Sequence, residues 1–245
     1  MFIARNLTGI HRRSVMTRFW LILATFLGLA ATALPASADI VYTLNCDSLA
    51  CGSPSNYGTV TLHQVGSGSS AYVEVTVLLA PNNYAGTGAG FAINWNITNN
   101  PSLTTTVVPT DASHPLLAGQ IYDASHFEVK DSTVSGKTYK ASPFGSSWMY
   151  AIDYKVNGGK DTNDNKLIFD VTKSGGLLLS DFAATADGFY FAVDIFGGPC
   201  HPTCVVASNT HTQVPEPGTV TMSIAGLMGL VGFAMIQRRR KLARA

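Results

Sequence analysis

This sequence of 245 residues predicts an all-β fold, an antiparallel β-sandwich or jelly-roll-like ectodomain flanked by an N-terminal signal peptide and one C-terminal transmembrane helix. Three observations predict it. Apolar and polar residues alternate with period 2 along the middle of the chain. Turn-forming residues interrupt that alternation at short intervals. The basic residues not balanced by acid sit at the two ends, each beside an apolar run.

The charge split is sharp. Residues 1–38 hold four Arg and no acid, and 238–245 hold Arg238, Arg239, Arg240, Lys241 and Arg244. Between them lie seven Lys, no Arg and fifteen acids, a net charge of −8. An acidic middle without arginine lacks the footprint that displaces counterions from nucleic acid, so no nucleic-acid partner is expected. It also lacks the guanidinium fork for phosphate. The middle is roughly 175 residues long, enough for one domain with a sizeable core.

Residues 1–38 form a secretory signal. Arg12, Arg13 and Arg18 give the positive segment, Phe19 to Leu34 the apolar one, and Ala36-Ser37-Ala38 the small-residue cleavage site. The mature chain then starts at Asp39, and Met16 offers an alternative start to Met1. An uncleaved anchor is the competing reading, but the apolar run is short for a span.

The ectodomain covers 39–207. Ala71 to Leu79 sets Val73, Val75, Val77 and Leu79 on one face against Tyr72, Glu74 and Thr76. Phe91 to Thr98, Trp148 to Val156 and Phe189 to Phe196 alternate in the same way. Shorter runs at 40–44, 58–65, 104–108, 121–130, 166–172 and 204–208 bring the expected total to about ten strands. Pro81-Asn82-Asn83, Asn99-Asn100-Pro101, Asn157-Gly158-Gly159 and Gly197-Gly198-Pro199 mark turns. Gly176 to Phe182 is a candidate helical turn, and 208–213 reads as a short polar stalk.

Thr219 to Ile236 holds eighteen residues without a charge. As a helix at ~1.5 Å per residue it reaches ~27 Å, close to a bilayer's hydrocarbon thickness. The basic cluster 238–245 stops transfer and stays inside. Just before the span stands Pro215-Glu216-Pro217, where each proline removes a donor and restricts its predecessor, so the tripeptide is extended.

Pro-Glu-Pro, a Gly-rich apolar helix with Gly226, Gly229 and Gly232, then Arg238-Arg239-Arg240, resembles the PEP-CTERM sorting signal of Gram-negative bacteria. The resemblance is confined to about residues 214–241. It implies recognition by an exosortase, a membrane cysteine transpeptidase or protease that cuts near the motif and discards the helix. It also implies a host that makes extracellular polysaccharide, and a protein that ends at the cell surface or in the extracellular matrix.

Cys46, Cys51, Cys200 and Cys204 are the only cysteines. In an oxidising compartment they pair. Of three connectivities, Cys46–Cys51 with Cys200–Cys204 is favoured, because each pair flanks a short turn. A Cys₄ zinc site, with His201 beside it, is the competing reading. Asp161, Asn163 and Asn165 resemble the first half of a calcium loop, yet the sixth position is Lys166 and the twelfth Thr172. A polar hairpin loop between the strands 148–156 and 166–172 is the favoured reading, and no cofactor is expected.

The chain has no G-x-S-x-G, H-E-x-x-H or P-loop. His63, His114, His126, His201 and His211 are scattered. Glu74, Glu128, Asp153 and Asp194 fall on polar strand faces, where a glycosidase would need two opposed carboxylates. Trp95 and Trp148 fall on apolar faces, which assigns them to the core and not to a sugar platform. Tyr57, Tyr84, Tyr139 and Tyr190 remain as stacking candidates. The expectation is a non-enzymatic structural or adhesive β-domain. A polysaccharide-binding module is the alternative, and a secreted hydrolase the second alternative. Signal peptidase, exosortase, the membrane through a transient helix, and extracellular polysaccharide are the expected partners.

Overall fold

The computed structural model describes residues 38–47, 56–86, 91–145, 147–155, 164–198 and 200–214, together with 226 and 229. Contacts gather Ser37–Glu216 into one unit and the two terminal segments into another. Of the second unit only Gly226 and Gly229 are described, both helical. Among the described residues no helix is long and apolar enough to cross a membrane. The expected signal peptide (Ala38 apart) and nearly all of the expected span therefore lie outside the described residues.

The first unit is almost entirely β, and every strand pair is antiparallel. The strands are β1 (Asp39–Thr43), β2 (Gly58–Val65), β3 (Tyr72–Leu79), β4 (Asn83–Ala85), β5 (Ile93–Ile97), β6 (Thr104–Val107) and β7 (Phe127–Asp131). They continue as β8 (Tyr150–Tyr154), β9 (Lys166–Thr172), β10 (Phe182–Ala183), β11 (Phe191–Gly197), β12 (Cys200–Ser208) and β13 (His211–Val214). One helical turn, α1 (Ser132–Ser135), is capped by the Asp131 carboxylate accepting from the Thr133 N–H.

One sheet has the order β13-β1-β2-β3-β9-β6, and the other β12-β11-β5-β8-β7, with β10 on β5 and β4 on β11. The alternation of Val73, Val75, Val77 and Leu79 holds as written, and these side chains are buried. They meet Trp95, Ile97, Tyr150, Ile152, Phe191 and Val193 of the second sheet in one core. Ring contacts cross between the sheets: Trp95 to Phe169 at 5.0 Å and Tyr42 to Phe191 at 4.9 Å.

The outer face of the second sheet is also covered. Small residues Ala151, Ala192 and Ala207 leave room there for Trp148, Phe144 and Tyr139. Trp148 is therefore core, as expected, but in this second cluster and not beside Tyr150 and Ile152. Regular pairing starts at Tyr150, and Trp148 meets Tyr139 through an isolated bridge.

Two boundaries differ from the sequence pattern. The run 121–130 gives β7 only from Phe127, because 121–126 turns through a short 3-10 segment. The expected stalk 208–213 holds the end of β12 and most of β13. Polar His211-Thr212-Gln213 shows no alternation that would mark a strand. It pairs because β1 offers it a free edge. Gly176 to Phe182 does contain a 3-10 turn, at Leu179–Asp181.

Candidate functional site

The feature nearest the sorting tail is the edge formed by β1 and β13. Their register sets Asp39 opposite Val214, Ile40 opposite Gln213, Val41 opposite Thr212 and Tyr42 opposite His211. All four β13 residues are exposed. His211 holds the strand in place through its ring, 5.1 Å from Tyr42 and 5.6 Å from Tyr190. Burial pushes the Tyr42 hydroxyl up to about 12, with Tyr190 adding to it. Asp39 is fixed by the His63 Nδ1–H, which donates to its carboxylate at 2.7 Å. The domain's first and last strands thus lie side by side, and Pro215 follows Val214 with no intervening residue.

Three histidines that look scattered in sequence each meet carboxylates. His126 donates from Nδ1 to Asp164 Oδ2 at 2.7 Å, and its Nε2 lies 3.5 Å from Asp123. Asp164 has no exposed surface and also accepts from the Tyr154 O–H at 2.7 Å and the Asp123 N–H at 2.6 Å. Burial, then the neighbouring carboxylate, holds the Tyr154 hydroxyl well above its ordinary range. The arrangement fully pairs a buried charge and fixes where 121–126 meets β8 and β9. His114 donates from Nε2 to Glu74 at 2.6 Å and lies 3.3 Å from Asp111. The hydrogen bond to Glu74 raises the His114 pKa above the usual imidazole value. This contact clamps the 108–121 segment onto the first sheet, aided by the Tyr122 O–H donating to the Val108 and Ile168 carbonyls.

The carboxylates expected on polar strand faces pair in register. Glu74 stands opposite Asp170, and Glu128 opposite Asp153. Burial and the Glu74 charge push the Asp170 carboxyl up. Burial likewise raises Asp153, while Lys130, paired with Glu128, opposes the shift. Each pair carries a basic side chain of its own, His114 or Lys130. Asp194, expected on a polar face, is fully buried instead, because the outer face of the second sheet is covered.

Tyr84 lies half-buried in β4. Tyr57 and Tyr139 are buried, and Tyr190 packs half-buried on Tyr42 and His211. Among the described residues, a cleft lined by Val77, Leu79, Asp164, Asn165 and Val193 among others has room for about one water.

Asn165 spends its side chain on the loop: it accepts from the Ile121 N–H and donates to the Gly119 carbonyl, both at 2.7 Å. Asp161 and Asn163 lie outside the described residues, as do Cys51, Ala36, Pro215, Glu216, Pro217, Arg238, Arg239 and Arg240. Cys200 is described only in its backbone. Among the described residues no cysteine is a free thiol, and no cluster of three metal-ligating side chains occurs.

Residues 213–241 match the family model of the PEP-CTERM protein-sorting motif. The tail therefore marks an exported, exosortase-targeted protein, a class that reaches the cell surface of Gram-negative bacteria. The match begins at Gln213, inside β13, so the motif starts within the folded sheet's last strand. No curated protein and no solved structure matches the chain.

Proposed function

We infer that this chain is secreted through a cleaved signal peptide, loses its C-terminal helix to an exosortase, and works at the cell surface or in an exopolysaccharide matrix as a structural or adhesive β-sandwich. The observation that carries the reading is the matched sorting motif, which begins within the last strand of the β-domain. The working form is then about Asp39 to Pro217.

The proposed disulfides are Cys46–Cys51 and Cys200–Cys204. The different surroundings of the two cysteines whose side chains are described speak against the Cys46–Cys204 connectivity. Cys46 packs with Trp148 and Val205, whereas Cys204 packs against the main core on the other face of the sheet. Loops this short gain little chain entropy, so the bridges act as local clips.

The test is expression in an exosortase-positive Gram-negative host and in its exosortase deletion, followed by fractionation and intact mass. The reading expects a shortened, surface-associated product only in the first host. A full tail retained in both hosts refutes it. A glycan array with the processed protein then separates the structural role from polysaccharide binding.

A further inference from the structure

The two sheets end differently at their edges. In the second sheet, β7 carries Glu128, Lys130 and Asp131, while β12 contains Pro202 and a break in register beside Phe196 and Gly197. Charge, proline and bulges keep an edge strand from pairing with another chain. The first sheet's edges have none of these. β6 reads Thr-Thr-Thr-Val and β13 His-Thr-Gln-Val, each four residues long and without carboxylate, lysine or arginine. Among the described residues each pairs on one side only, β6 with β9 and β13 with β1. Thr104, Thr106 and all four residues of β13 are exposed.

These two edges complement each other. Six strands joined by five antiparallel pairings leave β6 and β13 running in opposite directions. A second copy placed head to tail therefore meets β13 with an antiparallel β6. Full overlap sets Thr104 opposite Val214, Thr105 opposite Gln213, Thr106 opposite Thr212 and Val107 opposite His211. The faces match in that register. Thr104 and Thr106 share the outer face with Thr172 and Asp170, as Thr212 and Val214 share it with Val41 and Asp39. Thr105, Val107, His211 and Gln213 take the core-side phase, beside Val171, Phe169, Tyr42 and Ile40. A slip by one residue would set outer against inner.

We propose that β6 of one copy pairs with β13 of the next, so that the first sheet runs on through successive copies. Such a contact joins two different surfaces, and the twist of the sheet turns each copy relative to the last, so it builds open helical chains and not a closed dimer. Four-residue edges bury little area, so each contact is weak, and chains grow where copies are crowded, as at a cell surface. This inference rests on the proposed structural role.

The test follows molar mass against concentration, by sedimentation equilibrium, for the processed protein recovered from an exosortase-positive host. The average mass of wild type rises past twice that of the monomer, without a plateau, as concentration increases to about 1 mM. Two double variants then probe the register. Thr106→Lys with Thr212→Lys sets like charges opposite each other at the contact, and Thr106→Lys with Thr212→Glu sets opposite charges there. Both positions are exposed, so both variants keep the wild-type urea midpoint. The Lys–Glu variant associates about tenfold more tightly than the Lys–Lys variant. A wild type that stays monomeric throughout, a plateau at two copies, or equal association of the two variants overturns the proposal. Retention of the tail refutes the exosortase reading instead, and the same variants then test the contact on the detergent-solubilised full chain.

Discussion

Replacing Asp164 by Asn keeps the side chain's shape and removes its charge. In the native fold Oδ2 accepts from both His126 Nδ1 and Tyr154, while Oδ1 accepts from the Asp123 N–H. An amide NH₂ in the Oδ2 position accepts from neither, and it faces two donors. Hydrogen bonds to a charged group contribute about 1.5–3 kcal/mol each, and the two share one acceptor, so the loss is about 3–4 kcal/mol, not the full sum. With a urea slope of about 2 kcal/mol per molar, the unfolding midpoint of the processed ectodomain falls by about 1.5–2 M. Tyr154→Phe removes one donor and leaves the carboxylate two partners, so it costs about 1–1.5 kcal/mol. Urea melts of wild type, Asp164→Asn and Tyr154→Phe at neutral pH make the comparison. A loss below about 1 kcal/mol for Asp164→Asn refutes the assignment of this network as the join between 121–126 and the sheets.

Three further outcomes follow from the same geometry. His114 has a folded pKa above its ordinary 6.5, so its contribution is complete below pH 6.5 and disappears as pH rises through the folded value. Urea midpoints at about pH 5.5 and about pH 8.5 therefore differ more for wild type than for His114→Gln. Asp170 stands opposite Glu74 with its carboxyl pushed up, so its charge opposes folding above the acid range. Asp170→Asn accordingly raises the midpoint at pH 7, and the gain shrinks near pH 4, a comparison that thermal melts can make. Gly58 has φ +143°, and a Cβ there would lie 2.4 Å from the Leu78 carbonyl oxygen, so Gly58→Ala costs about 2–3 kcal/mol in the same urea assay.

The strands that alternate cleanly were legible from the sequence. Tyr72–Leu79 buries the four residues its pattern selects, and Phe191–Gly197 pairs at the core. Alternation reports burial on one face, so it fails where both faces are covered. Asp194 and Ala192 look like a polar side, yet both are buried: Ala192 packs with Phe144 and Trp148, and Gly86 lies close against Asp194. It fails again where a strand buries neither face. His211–Val214 is held by backbone pairing and ring contact at an edge, and its composition is that of a linker. The histidine pairs were invisible for a different reason. His126 and Asp164 are 38 residues apart, on segments that lead into β7 and β9 of different sheets, and only the packing of the two sheets brings them together. The sorting tail was the most legible part, because its signal is a local order of proline, apolar residues and arginine that needs no tertiary contact.

The most direct measurement of the central claim is the C-terminal mass of the protein recovered from an exosortase-positive host and from the matched deletion. The account predicts a product ending near Pro215–Pro217 in the first and the apolar, arginine-ended tail still attached in the second. Identical C-termini in the two hosts, with or without the tail, would contradict it.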